Sequence, residues 1–277
     1  MKVFISSDLE GAAGVVDWSQ CRPSGGQAYE SACRLLLGEV NAALEGAHAG
    51  GATEALVNDS HGAMANLPPD ELATDATYLS GAHKPHYMME GLDPTFGAAL
   101  FIAYHGSIES HGALSHTYNP RAVHAARLNG EPTGEAGINA LVAVAHGVPV
   151  ALISGDQIAT EEALRVSPKA EVVNVKRSIT RFAAESTHPA GARRMISEGA
   201  RRAVERSLAG EIPPPALSSP FVLEIDWLTA DMAELASAVR GVERTAGRTT
   251  TVAGDDPLAC YRCFVAAIAI TRSIVES

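Results

Sequence analysis

The chain is poor in cysteine and in positive charge, and it has no glycine-rich phosphate loop. Only four cysteines occur in 277 residues: Cys21, Cys33, Cys260 and Cys263. The last two form a Cys-x-x-Cys with no second pair, whereas a structural zinc site usually needs four ligands. All four are therefore expected to be core or helix-surface thiols. The 21 Lys and Arg are outweighed by 32 Asp and Glu, giving a formal charge of −11. Such a balance argues against holding nucleic acid or an anionic membrane. No apolar run approaches the length of a membrane span. The first residues offer one Lys and then a short strand, without the long apolar region and cleavage site of a signal peptide. A cytoplasmic location is the expectation. Internal repeats and low-complexity tracts are missing too.

What is present is the composition of a folded protein, with 46% apolar and 19% charged residues. The length suits one large domain, or one large and one small. Short β-rich runs alternate with helical ones. Met1–Ser7, Thr53–Val57, Ala76–Leu79, Ala98–Tyr104 and Val148–Ile153 read as strands. Gln27 to His48, Glu135 to His146 and Gln157–Arg165 read as helices, with Asp156 as an N-cap. Val123–Leu128 followed by Asn129-Gly130 reads as a hairpin. This alternation predicts an α/β fold, a mostly parallel sheet with flanking helices, over residues 1–186. Beyond it, Pro189–Leu208 reads as an Arg-rich amphipathic helix, solvated or facing another subunit. Phe221–Ile225, Ala230–Val239, Arg248–Val252 and Asp256–Val275 then read as strand, helix, strand and helix. They predict a smaller C-terminal α+β domain over 187–277, contributing to oligomerisation.

Ligands of parallel sheets sit beyond the carboxyl ends of the strands. The first strand ends in Ser7-Asp8-Leu9-Glu10-Gly11, where Asp8 and Glu10 are two residues apart and point to one side while the chain stays extended. Two such carboxylates repel, and a bound cation would remove the cost. Taken alone the pair is more simply read as solvated. However, His61 and His105 fall at the same edge, and His116 adjoins it. Glu135 opens a helix, where the dipole would favour a carboxylate anyway. Imidazole and carboxylate are the ligand set of catalytic zinc. Asp8, Glu10, His61, His105 and Glu135 give five donors, about right for two metals that share one carboxylate, with Asp8 the natural bridge. His116 is left over as a proton-transfer group, and Asp59 could orient a ligand from behind.

The segments Ser7-Asp8-Leu9-Glu10-Gly11, Val57-Asn58-Asp59-Ser60-His61, Lys84-Pro85, Glu90-Gly91-Leu92-Asp93, Tyr104-His105, Ser115-His116 and Gly134-Glu135-Ala136-Gly137, in this order, resemble the zinc-dependent D-aminopeptidases of the DppA type. The resemblance implies a two-zinc hydrolase that removes the N-terminal residue from short peptides, with two domains and a ring-stacked homodecamer enclosing the active sites. Carried over by position, it makes Asp8 the bridge, assigns Glu10 and His61 to one zinc and His105 and Glu135 to the other, and makes His116 the catalytic histidine. Residues 106–111 and 117–120 depart from the family pattern and are expected to shape the substrate pocket, where preference for D- over L-residues is set. Two other readings are a different two-metal hydrolase, an amidase or phosphoesterase, and a non-catalytic metal-bound oligomeric scaffold. The acidic charge and the missing phosphate loop count against phosphate. The same donors also accept manganese or cobalt.

Overall fold

A computed structural model describes residues 1–275; the last two residues of the expected 187–277 domain lie outside the described residues. The chain begins with β1 (Lys2–Ser7), α1 (Gln27–Ala49), β2 (Glu54–Asp59), β3 (Thr77–Leu79) and β4 (Phe96–Tyr104). A hairpin of β5 (Val123–Leu128) and β6 (Glu131–Pro132) precedes α2 (Glu135–His146), β7 (Val150–Asp156) and α3 (Gln157–Val166). Next come β8 (Glu171–Thr180), β9 (Ala183–Ser186) and α4 (Pro189–Leu208). The chain finishes with β10 (Phe221–Trp227), α5 (Ala230–Ala236), β11 (Glu243–Arg244), β12 (Thr249–Gly254) and α6 (Pro257–Val275).

Seven strands form one sheet in the order β3-β2-β1-β4-β7-β8-β9, parallel except for β9, which runs antiparallel to β8. β1 is central because its side chains are apolar on both faces. Val3, Phe4 and Ile5 are fully buried, at about 1.5–3 kcal/mol for each such side chain. Phe4 belongs to the core on one face, and Val3 and Ile5 to the core on the other. Ser7 stands in register with Asp59 of β2 and Ile102 of β4. The chain therefore leaves β1, β2 and β4 at nearly one level, where the strand order reverses about β1. That is the crevice in which α/β sheets hold their ligands.

A second, antiparallel sheet runs β11-β12-β10-β5-β6. The α/β class with a mostly parallel sheet and a smaller C-terminal unit is thus present, but packing does not follow the boundary expected at residue 186. β5 pairs with β10, so residues 123–132 join the later sheet. In return, α4 lies along α1 on the parallel sheet. A Cβ on Gly46 of α1 would stand 2.0 Å from the carbonyl oxygen of Ser197 in α4, so the two backbones touch there and only glycine fits. Three of the five α4 arginines are held in ion pairs within the chain. Arg201 pairs with Glu198 and Glu205, while Arg202 and Arg206 pair with Glu171.

The last helix corrects the reading of hydrophobic runs. α6 has 19 residues with a mean hydropathy of 1.6, long and apolar enough by length and composition to cross a membrane. Its apolar character has a local use. Tyr261, Phe264, Ala267 and Ile268 are buried in the core shared with α2 and the antiparallel sheet.

Candidate metal centre

Five segments meet beyond the carboxyl ends of β1, β2 and β4. Asp8 leaves β1 and donates its backbone N–H to the carbonyl of Ile102 on β4 at 2.9 Å. Glu10 follows on a turn pressed against β4. A Cβ on Gly11 would lie 2.0 Å from the carbonyl oxygen of Tyr104, so this glycine serves close approach rather than turning; the left-handed turn is made at Gly14, φ 89°. His61 follows β2, and His105 follows β4. His116 lies in the loop after β4, and Glu135 is the first residue of α2. All six are buried, none more than 8% exposed. The structure thus brings together every residue that the sequence singled out as donor or catalyst.

Two backbone carbonyls fix how the imidazoles present themselves. His61 Nε2 is 2.7 Å from the Cys21 carbonyl, and a carbonyl can only accept, so Nε2 carries the proton. Its lone pair is then on Nδ1, facing Asp8 Oδ1 at 3.2 Å and Glu10 Oε2 at 2.8 Å. His105 Nδ1 donates to the Gly106 carbonyl at 2.9 Å. Its lone pair on Nε2 faces Asp8 Oδ2 at 3.2 Å and Glu135 Oε1 at 3.5 Å. Lone pairs therefore converge on lone pairs from both sides of one carboxylate. Asp8 Oδ2, Glu10 Oε2 and His105 Nε2 are buried without a hydrogen-bond partner. Such atoms carry a full desolvation cost unless a cation or proton lies between them. The electrostatics run the same way. Burial opposes the imidazolium of His61, but the Glu10 and Asp8 carboxylates overturn it and hold that pKa well above the usual value. His105 is raised likewise by Glu135 and Asp8. Burial would lift Asp8, yet the two histidines draw it well below the carboxylate range. A site that pulls in protons this strongly pulls in divalent cations for the same reason. Asp8, Glu10 and His105 form one group of donors suited to a metal, and His105, His116 and Glu135 form another.

His116 stands apart from the other two. Its ring stacks on His105, with centroids 4.2 Å apart and planes at 9°. Nδ1 donates to the Leu114 carbonyl at 3.0 Å, leaving the Nε2 lone pair 3.7 Å from Glu135 Oε1. Burial and the neighbouring His105 lower its pKa to about 4. Trp18 meets the His116 ring edge-on at 5.3 Å. Backbone strain gathers at the same place: Ala103, Leu114 and Tyr118 all have left-handed φ, at 60°, 54° and 57°. A cavity of about 170 Å³ opens over the donors, with Trp18, Arg22, Tyr87, Tyr118 and Arg272 in its walls.

Asp59 does not do what was expected of it. Its carboxylate accepts from the backbone N–H groups of Asn66 and Leu67 at 2.5 and 2.9 Å, and from the Asn66 side chain at 2.6 Å. It braces the loop that carries His61 rather than the imidazole itself. Lys176 of β8 was missed entirely. Its buried ammonium donates to the carbonyls of Glu10, of Val15 at 2.6 Å and of Ala12 at 3.2 Å, gathering the turn on which Glu10 sits. Within Asn174-Val175-Lys176-Arg177-Ser178 nothing distinguishes this lysine from the arginine beside it.

Comparison with known proteins agrees with this geometry. A family model described as D-aminopeptidase matches residues 1–266. The D-aminopeptidase of Bacillus subtilis strain 168 is 36% identical over 252 residues, 90% of each chain. The solved structure of the Zn-dependent D-aminopeptidase DppA from Bacillus subtilis, a self-compartmentalizing protease, superposes with a TM-score of 0.90 at 33% identity, covering 98% of both chains. With converging donors at the sheet's switch point and similarity along its whole length, this chain belongs to the D-aminopeptidase family.

Proposed function

We propose that the protein is a two-zinc aminopeptidase that removes an N-terminal D-residue from short peptides. The observation that carries this reading is the carboxylate of Asp8, which turns one oxygen to His61 and the other to His105, with unpartnered buried atoms on both sides. Asp8 would bridge the ions. Glu10 and His61 would complete one site, and His105 and Glu135 the other. Zinc held there supplies Lewis acidity toward the scissile carbonyl and acidifies a water for attack near neutral pH.

The chain's own groups handle the rest. With Nδ1–H given to Leu114, His116 has a bare Nε2 at neutral pH. It is set to accept a proton, not to donate an N–H to an oxyanion. The same nitrogen, once protonated, is placed to deliver that proton to the departing amine. Trp18 and Tyr118 help to close the cavity, and its small volume favours short substrates.

A relative described as self-compartmentalizing supports a homo-oligomer, and we extend this to a decamer with inward-facing sites that exclude folded proteins. Four free thiols fit a reducing, cytoplasmic compartment. The test is hydrolysis of matched D- and L-alanyl dipeptides, with zinc measured on the same sample. D-peptide turnover at two zinc per chain is expected. Turnover of L-peptides alone would remove the stereochemical assignment, and cleavage of phosphoesters without peptides would remove the aminopeptidase.

A further inference from the structure

We propose that Arg272 reads the α-carboxylate at the far end of the peptide, so that the site prefers a dipeptide with a free C-terminus. The proposal rests on the aminopeptidase reading and adds a specificity residue to it. A dipeptide is a zwitterion. If its amine and scissile carbonyl lie among the donors, its carboxylate must meet the remaining wall of a cavity of about 170 Å³. That wall holds two guanidinium groups, Arg22 and Arg272.

Arg272 is the one built into place. Its guanidinium donates to the Tyr87 hydroxyl at 2.5 Å and lies 5.7 Å from the centre of the Tyr87 ring. Tyr87 stacks on Tyr118, with centroids 5.5 Å apart and planes at 28°. The Tyr118 backbone N–H donates to Glu135 Oε1 at 2.8 Å. Two rings thus tie the guanidinium to a donor carboxylate of the metal centre. The contact with Tyr87 occupies one of five N–H donors. No ion pair to Asp or Glu is formed by Arg272 among the described residues, so a forked edge is left for a ligand carboxylate. Beside it, a second cavity of about 250 Å³ shares Tyr87, Tyr118 and Arg272 with the first; Val265, Ile268 and Ala269 line it, with Lys84 and Arg262 also in its walls. The C-terminal residue's side chain has an apolar place next to the cation that holds its carboxylate. Arg22 instead packs over the Trp18 indole, 5.1 Å from its centre.

The test compares a D-alanyl dipeptide with its C-terminal amide, using the zinc-loaded protein and its Arg272→Met, Arg272→Lys and Arg22→Met variants. The unaltered protein should favour the free acid by roughly 10- to 100-fold in kcat/KM, chiefly through KM. Arg272→Met should bring that ratio to about one, and Arg272→Lys should keep part of it. Zinc content reports whether each variant retains its metal centre. Equal turnover of acid and amide by the unaltered protein would overturn the proposal. So would a preference that survives Arg272→Met, or one erased by Arg22→Met instead. Turnover of neither form would strike the aminopeptidase reading itself.

Discussion

Three imidazoles lie within a few ångströms of one another, and their protons divide the labour among them. His61 and His105 each spend one N–H on a carbonyl and turn the bare nitrogen toward carboxylates. That is the form in which imidazole binds a metal. His116 has the same arrangement but the opposite electrostatic outcome, because burial and the neighbouring His105 outweigh the pull of Glu135 and Asp8. Its ring is thus neutral where its neighbours would hold protons. His116→Ala should lower kcat by about 10²- to 10⁴-fold, the usual contribution of a positioned acid–base group, with zinc content near that of the parent. Loss of zinc together with turnover would make His116 a ligand, as its place beside His105 and Glu135 would permit. The six side chains of this centre were visible in the sequence because each carries a chemistry that few residue types share. The carbonyls of Cys21, Gly106 and Leu114, which set the tautomers, were not, because a backbone oxygen is the same at every position.

At the scale of elements, α1 does more than cover the sheet. Its Glu39 is buried, accepts the Ala13 N–H at 2.8 Å through Oε1, and leaves Oε2 with no partner. Burial raises its pKa from 4.5 to about 7, against partial relief from Lys176 and Arg193. A carboxyl that holds its proton longer in the folded state than in the unfolded chain contributes its full stability below pH 4.5. That contribution is lost as pH rises toward 7, and by about 3 kcal/mol in total. Glu39→Gln keeps the acceptor for Ala13 and cannot ionise. Denaturant unfolding from pH 4 to 9 should therefore show the parent falling behind the variant between roughly pH 4.5 and 7, with a constant gap above. Parallel curves would mean that Glu39 is not ionising inside the fold. The strands of the parallel sheet were legible from their short apolar runs and the glycines and polar residues that end them. β8 and β9 were not. Lys176 and Ser178 interrupt the apolar pattern of β8 because they point into polar pockets, and β9 reads Ala-Ala-Glu-Ser, which carries no strand signal. The turn at Asn129-Gly130 was readable, but not the partner of its hairpin. Asn129 exchanges hydrogen bonds with Val222, 93 positions away, and that pairing draws β5 into the second sheet.

For the whole molecule, the metal centre is a knot between distant parts of the chain. Residues 8, 61, 105 and 135 come from the ends of three strands and the start of a helix, and their contacts close long loops at an entropic cost. Without a cation, the same knot buries three carboxylates against three imidazoles, with unpartnered atoms at its centre. Ions bound only by the folded form stabilise it by about 4 kcal/mol at a thousandfold excess over their dissociation constant. In a chain of this size each kcal/mol is worth about 2–4 °C. Removing metal with a chelator should thus lower the melting temperature by on the order of 10 °C. Zinc titrated back should restore it, with the restoration complete only at two equivalents per chain. Asp8→Asn, which weakens the carboxylate common to both halves, should melt near the chelated protein and respond little to zinc. A melting temperature indifferent to metal would show that the knot is held by protons alone, and full recovery at one equivalent would leave Asp8 serving a single ion.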